Sequence, residues 1–295
     1  MEARLQGVPP GRRRVTYSLV ARDAETGELG VAVQSCSFGT GRVVPWAAAG
    51  VGAVATQSFT LPSYGPLGLG ALRDGAAPEE ALAALVAADE LRAFRQVALV
   101  DRHGRTASHT GASCIPAAGA HAGDGFSAQG NMLRSDGVWQ AAAEGFEGAT
   151  GTLADRLLGG LEAAEAAGGD FRGSQAGAIL VVPGEGAGEI WGERAVDVRV
   201  DDHPEPLREL RRLLRLELGQ RRFAPPTSLE TLDEAAAGAR RDGVPEHLIT
   251  YYSALVAGRS DRDEGRRRLR PLEEREPRWR EAYESALRVL GQRDG

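Results

Sequence analysis

Two short apolar, partly β-branched runs flank one turn near the start of the chain. They are Thr16-Tyr17-Ser18-Leu19-Val20-Ala21-Arg22-Asp23 and Glu28-Leu29-Gly30-Val31-Ala32-Val33-Gln34-Ser35, around Ala24-Glu25-Thr26-Gly27. This pattern predicts a β-hairpin. Its first residue constrains chemistry as well as fold. If Thr16 is the mature N-terminus, its hydroxyl and its own α-amine sit together at the end of a strand. A free α-amine has a pKa of about 7.7–8 and can take a proton from that hydroxyl, so one residue supplies nucleophile and base.

Residues 1–15 bear on that reading. They contain Pro9-Pro10-Gly11 and Arg12-Arg13-Arg14 but no apolar core of signal-peptide length, which predicts a disordered leader or a mis-annotated start. Two routes would free Thr16. One is autocatalytic cleavage after Val15. The other is initiation at Val15 from a GTG codon, with Arg12 to Arg14 a translated ribosome-binding sequence and the initiator methionine removed.

Composition narrows the chemistry further. The chain has 295 residues, a formal charge of −6 and a pI near 5.5, which speaks against nucleic acid as a bulk partner. No apolar run approaches the ~20 residues of a membrane helix. Cys36 and Cys114 are too few for a metal cluster, and His103, His109, His121, His203 and His247 show no ligand spacing, so no metal or cofactor is expected. With no secretory signal, a cytoplasmic location and reduced thiols are expected. There is no lysine, and all 35 basic residues are arginine. Schiff-base lysines, Ser-Lys dyads and the phosphate-loop lysine are thereby excluded.

Along the chain, Val43–Gly50 and Val51–Ser58 read as further β runs, and Tyr64-Gly65-Pro66 opens a helical region. Pro78 with Glu79-Glu80 signs the start of an amphipathic helix. Gln96–Val100 and Arg105–Gly111 read as a second hairpin, and Gly123–Met132 as a strand ending in a polar loop. A long helix is predicted with Leu153, Leu157, Leu158 and Leu161 on one face. Buried-looking Ala176–Val182 and a last run near Ala195–Val200 complete an α+β order with substantial antiparallel pairing. Beyond Pro204 the pattern is all helical, with a boundary signal at Phe223-Ala224-Pro225-Pro226. The far end resembles a degenerate tetratricopeptide (TPR) hairpin, read as a helical cap or as a docking platform for a protein partner. The expected domains are 16–204, a helical connector at 205–225 and a TPR-like appendage at 226–295.

Eight ordered motifs carry a family resemblance. They are Thr16–Asp23, Gly30–Val33, Pro45–Ala47, Gly50–Gln57, Tyr64–Pro66, His109–Gly111, Gln129–Met132 and Gly169–Gln175. Together they resemble the DUF1028 family, regarded as similar to the N-terminal-nucleophile (Ntn) hydrolases. The resemblance implies a four-layer αββα sandwich over Thr16 to Pro204, with Thr16 as nucleophile. Proteasome-type sites pair the terminal threonine with a lysine, and this chain has none.

Individual residues are weighed beside that resemblance. Asn131 could donate to an oxyanion, or serve as ordinary turn chemistry. Asp170 and Arg172 could grip a polar substrate, or pair with each other. Ser35, Gln57, Ser58 and Tyr64 could line a pocket, or simply be polar strand ends; Gln129 and Gln175, within the shared motifs, join the substrate-binding set. His109 could act as a general base. Cys36 or Cys114 could be a nucleophile, although buried structural cysteine is the commoner use. The expected activity is hydrolysis of an amide- or ureide-type C–N bond in a small polar substrate. The alternative is a non-catalytic metabolite-binding or oligomeric scaffold, with a partner docking on 226–295.

Overall fold

The computed structural model describes residues 16–186, 193–224 and 227–291. The leader 1–15 and Pro225-Pro226 of the expected boundary lie outside the described residues. The chain divides into two compact units, one through Arg211 and a second from Arg212.

The predicted first hairpin is present. β1 (Thr16–Arg22) pairs antiparallel with β2 (Leu29–Ser35), with Thr16 opposite Ser35. Both strands are buried almost throughout, which is why they read as near-continuous apolar runs rather than alternating ones. With β7 (Gly119–Gly123), β8 (Phe126–Asn131), β9 (Ala176–Val182) and β10 (Val196–Val200) they form a six-stranded sheet in the order β10-β9-β2-β1-β8-β7. A second, four-stranded sheet runs β3-β4-β5-β6, built from β3 (Pro45–Ala48), β4 (Gly52–Ser58), β5 (Arg95–Asp101) and β6 (Thr106–Thr110). All strand pairings in both sheets are antiparallel.

One hydrophobic cluster joins the two sheets. It takes Val20, Leu29, Val31, Val33, Ala178 and Leu180 from the larger sheet and Ala47, Ala53, Ala55, Ala98 and Val100 from the smaller. The alanines on the smaller sheet keep the layer thin. Period-two alternation then places Thr16, Ser18 and Val20 of β1 on this inner face, with Ser35 of β2, Gln129 and Asn131 of β8, Gln57 of β4 and Gln96 of β5.

Helices lie against the outer faces. α1 (Tyr64–Arg73) and α2 (Pro78–Ala87) share a cluster with Val54, Val97 and Leu99 of the smaller sheet. α3 (Gly137–Gly148) and α4 (Leu153–Ala166) contact the larger one. α4 starts with a capping box, Thr152 and Asp155 satisfying each other's backbone N–H groups. A Cβ on Gly160 of α4 would stand 2.8 Å from the Ala142 carbonyl and 2.9 Å from Leu19, so glycine there lets α4 approach both α3 and β1.

Two elements were not anticipated from sequence, β7 and α3. β7 is Gly-Ala-His-Ala-Gly, with no β-branched residue, and is a strand because it completes an edge beside β8. α3 carries three interior or terminal glycines that mask a helical spacing, yet Val138, Trp139, Ala142, Ala143 and Phe146 all bury on one face.

α5 (Pro206–Arg221) runs across the division between the units. The second unit contains α6 (Leu232–Arg241), α7 (Glu246–Ser260), α8 (Arg262–Glu273) and α9 (Arg278–Gly291). α7 feeds two clusters at once, Ile249, Val256 and Ala257 packing with Leu232 and Phe223, and Ala254 packing with Leu269, Tyr283 and Leu287. An apolar surface on more than one side makes it the central helix of this unit. Among the described residues no helix is long and apolar enough to cross a membrane.

Candidate functional site

Thr16 opens β1, between the ends of β2 and β8, and the register sets Ser35 on one side of it and Asn131 on the other. It is fully buried, and its hydroxyl donates to Ser35 Oγ at 3.3 Å. Ser35 Oγ also accepts the backbone N–H of Ser37. Two side-chain amides converge on the Thr16 carbonyl: Gln57 Nε2 at 3.1 Å and Asn131 Nδ2 at 3.4 Å.

Both amides are oriented by a residue that sequence reasoning missed. Gln96 Oε1 accepts from Gln57 Nε2 at 2.8 Å and from Asn131 Nδ2 at 2.9 Å. Its own Nε2 donates toward Thr110 Oγ1, Gly119 O and Gly130 O. The signal was a glutamine opening the apolar run Gln96-Val97-Ala98-Leu99-Val100, a polar residue where a doubly covered strand should be apolar. Deeper between the sheets, Gln129 Nε2 bonds Ser18 Oγ and the Ala55 carbonyl. This orientation spends amide hydrogens and leaves oxygens over: Gln57 Oε1, Gln129 Oε1 and Asn131 Oδ1 are buried without a partner. The cluster thus holds unused acceptors.

The remaining predicted residues fall into separate groups. Asp170 is buried at the end of the larger sheet, accepting the Cys36 N–H at 3.3 Å and the Arg172 N–H at 2.8 Å. The Arg172 guanidinium also reaches Asp170, so this pair braces the segment that follows Ser35. Gln175 donates its backbone N–H to Ser35 O, while its side chain bonds Asp202. Tyr64 donates to Asp89 at 3.0 Å, and Asp89 pairs with Arg95, an assembly centred on α1 and the smaller sheet. Ser58 has a positive φ of 67° and sits 3.6 Å from Cys114 Sγ. His109 lies on the β6 face opposite to Thr110, with Nε2 2.9 Å from the Arg92 carbonyl. Among the described residues no group of three or more His, Cys, Asp or Glu could hold a metal ion.

The cysteines are poorly placed as nucleophiles. Burial, then the Asp170 charge, pushes the Cys36 thiol up to about 11, and burial raises Cys114 as well. At pH 8 a group with that pKa is about one part in a thousand thiolate. Iodoacetamide at that pH is expected to leave Cys36 essentially unmodified by mass spectrometry, with alkylation appearing only as the pH climbs toward 11. Rapid modification near neutrality would reinstate a cysteine mechanism.

Comparison with known proteins bears on the same region. A family described as "Family of unknown function (DUF1028)" matches residues 16–210. The crystal structure of protein SPO2555 from Silicibacter pomeroyi, also of family DUF1028, is similar with a TM-score of 0.62 at 32% identity, over 68% of this chain and 88% of that one. No curated protein matches.

Proposed function

We propose, starting from the fact that the chain belongs to the DUF1028 family, that residues 16–204 form an Ntn-hydrolase-like αββα domain cleaving a C–N bond of a small polar amide or ureide. One observation carries the reading. Thr16 begins a central strand and is held at both its hydroxyl and its carbonyl by polar side chains from two sheets. A threonine serving only to fill a strand needs no such set of partners.

In this mechanism the α-amine of Thr16, once free, takes the hydroxyl proton. The oxygen attacks the substrate carbonyl, the ammonium gives its proton to the departing nitrogen as the C–N bond breaks, and water then hydrolyses the ester linking the acyl group to Thr16, freeing the acid and the hydroxyl. Ser35, which accepts from the Thr16 hydroxyl, turns to donate to it as it loses its proton. Asn131 exchanges its bond to the Thr16 carbonyl for one to the oxyanion, alongside a backbone amide. The unpartnered oxygens of Gln57 and Asn131 accept N–H groups, from the new ammonium or from the substrate. Asp170 and Arg172 orient the polar end of the substrate. We further propose a cytoplasmic protein whose TPR-like second unit docks a protein partner.

The test is the intact mass of protein expressed from its native gene and ribosome-binding region. A chain beginning at Thr16 is expected, and would direct screening toward amides and ureides. A chain retaining Met1 to Val15 would block the amine and overturn the mechanism in favour of a non-catalytic scaffold.

A further inference from the structure

A cavity of about 210 Å³ is lined by Gly41, Arg42, Pro45, Trp46, Ala47, Leu180, Arg194 and Arg199. It opens where the β3 edge of the smaller sheet meets the β9 and β10 edge of the larger. No residue of the Thr16 cluster lines it. The register explains its composition. Asp197 lies opposite Leu180 and Arg199 opposite Ala178, so these two β10 side chains share the face that looks toward the other sheet. Being at the edge, they project beyond the apolar layer and form a charged rim to an apolar floor.

Among the described residues, the guanidinium groups of Arg42, Arg194 and Arg199 and the carboxylate of Asp197 meet there. Arg194 and Arg199 both pair with Asp197, which draws their heads to one place. Arg42, from the neighbouring segment, is steadied differently: Nε donates to the Gly39 carbonyl and the guanidinium stands 5.2 Å from the Phe38 ring centroid. The Arg199 stem packs against Gly41, where an added Cβ would come within 3.3 Å of its Cδ and 2.7 Å of Ala178 Cβ. Arg42 thus brings a further positive charge to the rim beside the Asp197 pairs. The wall beneath is apolar, since the Trp46 indole N–H is already given to the Val43 carbonyl.

We infer that this cavity is a binding site for a small organic anion, a carboxylate carried on a flat apolar body. The arginines suit the carboxylate through their forked donors, and Trp46, Pro45 and Leu180 suit the flat body. The volume accommodates an acid of about benzoate's size. The inference is independent of any role for Thr16.

Isothermal titration of benzoate into the full chain, near neutral pH in buffer free of other carboxylates and of phosphate, is expected to show saturable binding at one site. Arg42→Ala removes an exposed side chain and should melt like the wild type while binding at least about tenfold more weakly, as loss of a charge-assisted hydrogen bond implies. Arg199→Ala should act similarly. Arg208→Ala, whose arginine pairs with Glu205 away from the cavity, should bind normally. Benzyl alcohol, which keeps the ring and loses the charge, should not bind. The proposal is overturned by absence of benzoate binding, by affinity unchanged in Arg42→Ala, or by inorganic phosphate displacing benzoate at lower concentration.

Discussion

Thr16→Ala is expected to reduce hydrolysis of a responsive amide by the processed protein to the uncatalysed background, while lowering the melting temperature by only a few degrees. The two effects separate because the hydroxyl has a small structural part and, in the proposed mechanism, the whole nucleophilic one. Its hydrogen bond to Ser35 is a neutral contact at 3.3 Å, worth about 1 kcal/mol. For a domain of this size that is roughly 2–4 °C. Ser35 keeps the Ser37 N–H, and the amides of Gln57 and Asn131 grip the Thr16 backbone carbonyl, which alanine retains. Thr16→Ser should preserve part of the turnover. Activity surviving in Thr16→Ala would remove the residue from the chemistry. A large drop in melting temperature would instead make its role structural.

Arg95→Ala is expected to destabilise the domain by about 3–5 kcal/mol, the usual cost of stripping one partner from a buried ion pair. Arg95 Nε lies 2.7 Å from Asp89 Oδ2, with the two side chains 8% and 6% exposed. Its other arm bonds the Phe59 carbonyl. Without it, Asp89 keeps only the Leu91 N–H and the Tyr64 hydroxyl as compensation for burial. Burial pushes the Asp89 carboxyl up, but bonds from Arg95, Leu91 and Tyr64 outweigh it and hold the group below its ordinary value. A depressed folded-state pKa means that this stabilisation is complete above the unfolded value near 3.9, and is lost as pH falls through the folded one. The difference between wild type and Arg95→Ala in urea unfolding should therefore be full at neutral pH and shrink below about pH 4. A difference of less than 1 kcal/mol at neutral pH would show the pair to be energetically idle.

The strands were legible where their residues recorded their surroundings. Thr16–Arg22, Leu29–Ser35 and Ala176–Val182 are covered on both faces, and their unbroken apolar runs state that directly. β7 was hidden because an edge strand made of small residues is selected by its neighbour rather than by its own preference. The site was legible in part. Thr16, Ser35, Gln57 and Asn131 do come together, since strand ends at one end of a sandwich are brought close by topology. Tyr64 instead serves the Arg95 pair, and the Gln175 side chain turns to Asp202. Such destinations depend on which strand lies across the layer, and no local pattern records that. Gln96 was missed for the same reason, its partners being 14 to 39 residues away in sequence.

The amides that cross between the sheets have a mechanical consequence. An interface of alanine and valine side chains has little to oppose one sheet creeping along the other, because the dispersion attraction given up at one position is recovered at the next. Hydrogen bonds from Gln57 to Thr16, Gln129 to Ala55, Gln96 to Gly130 and Asn131 to Gln96 are directional and have no equivalent one step along. They act as pegs in a keyed joint, so shear between the layers must break several together. Any gating at the Thr16 end then falls to the loops around it, with the two sheets serving as a fixed anvil.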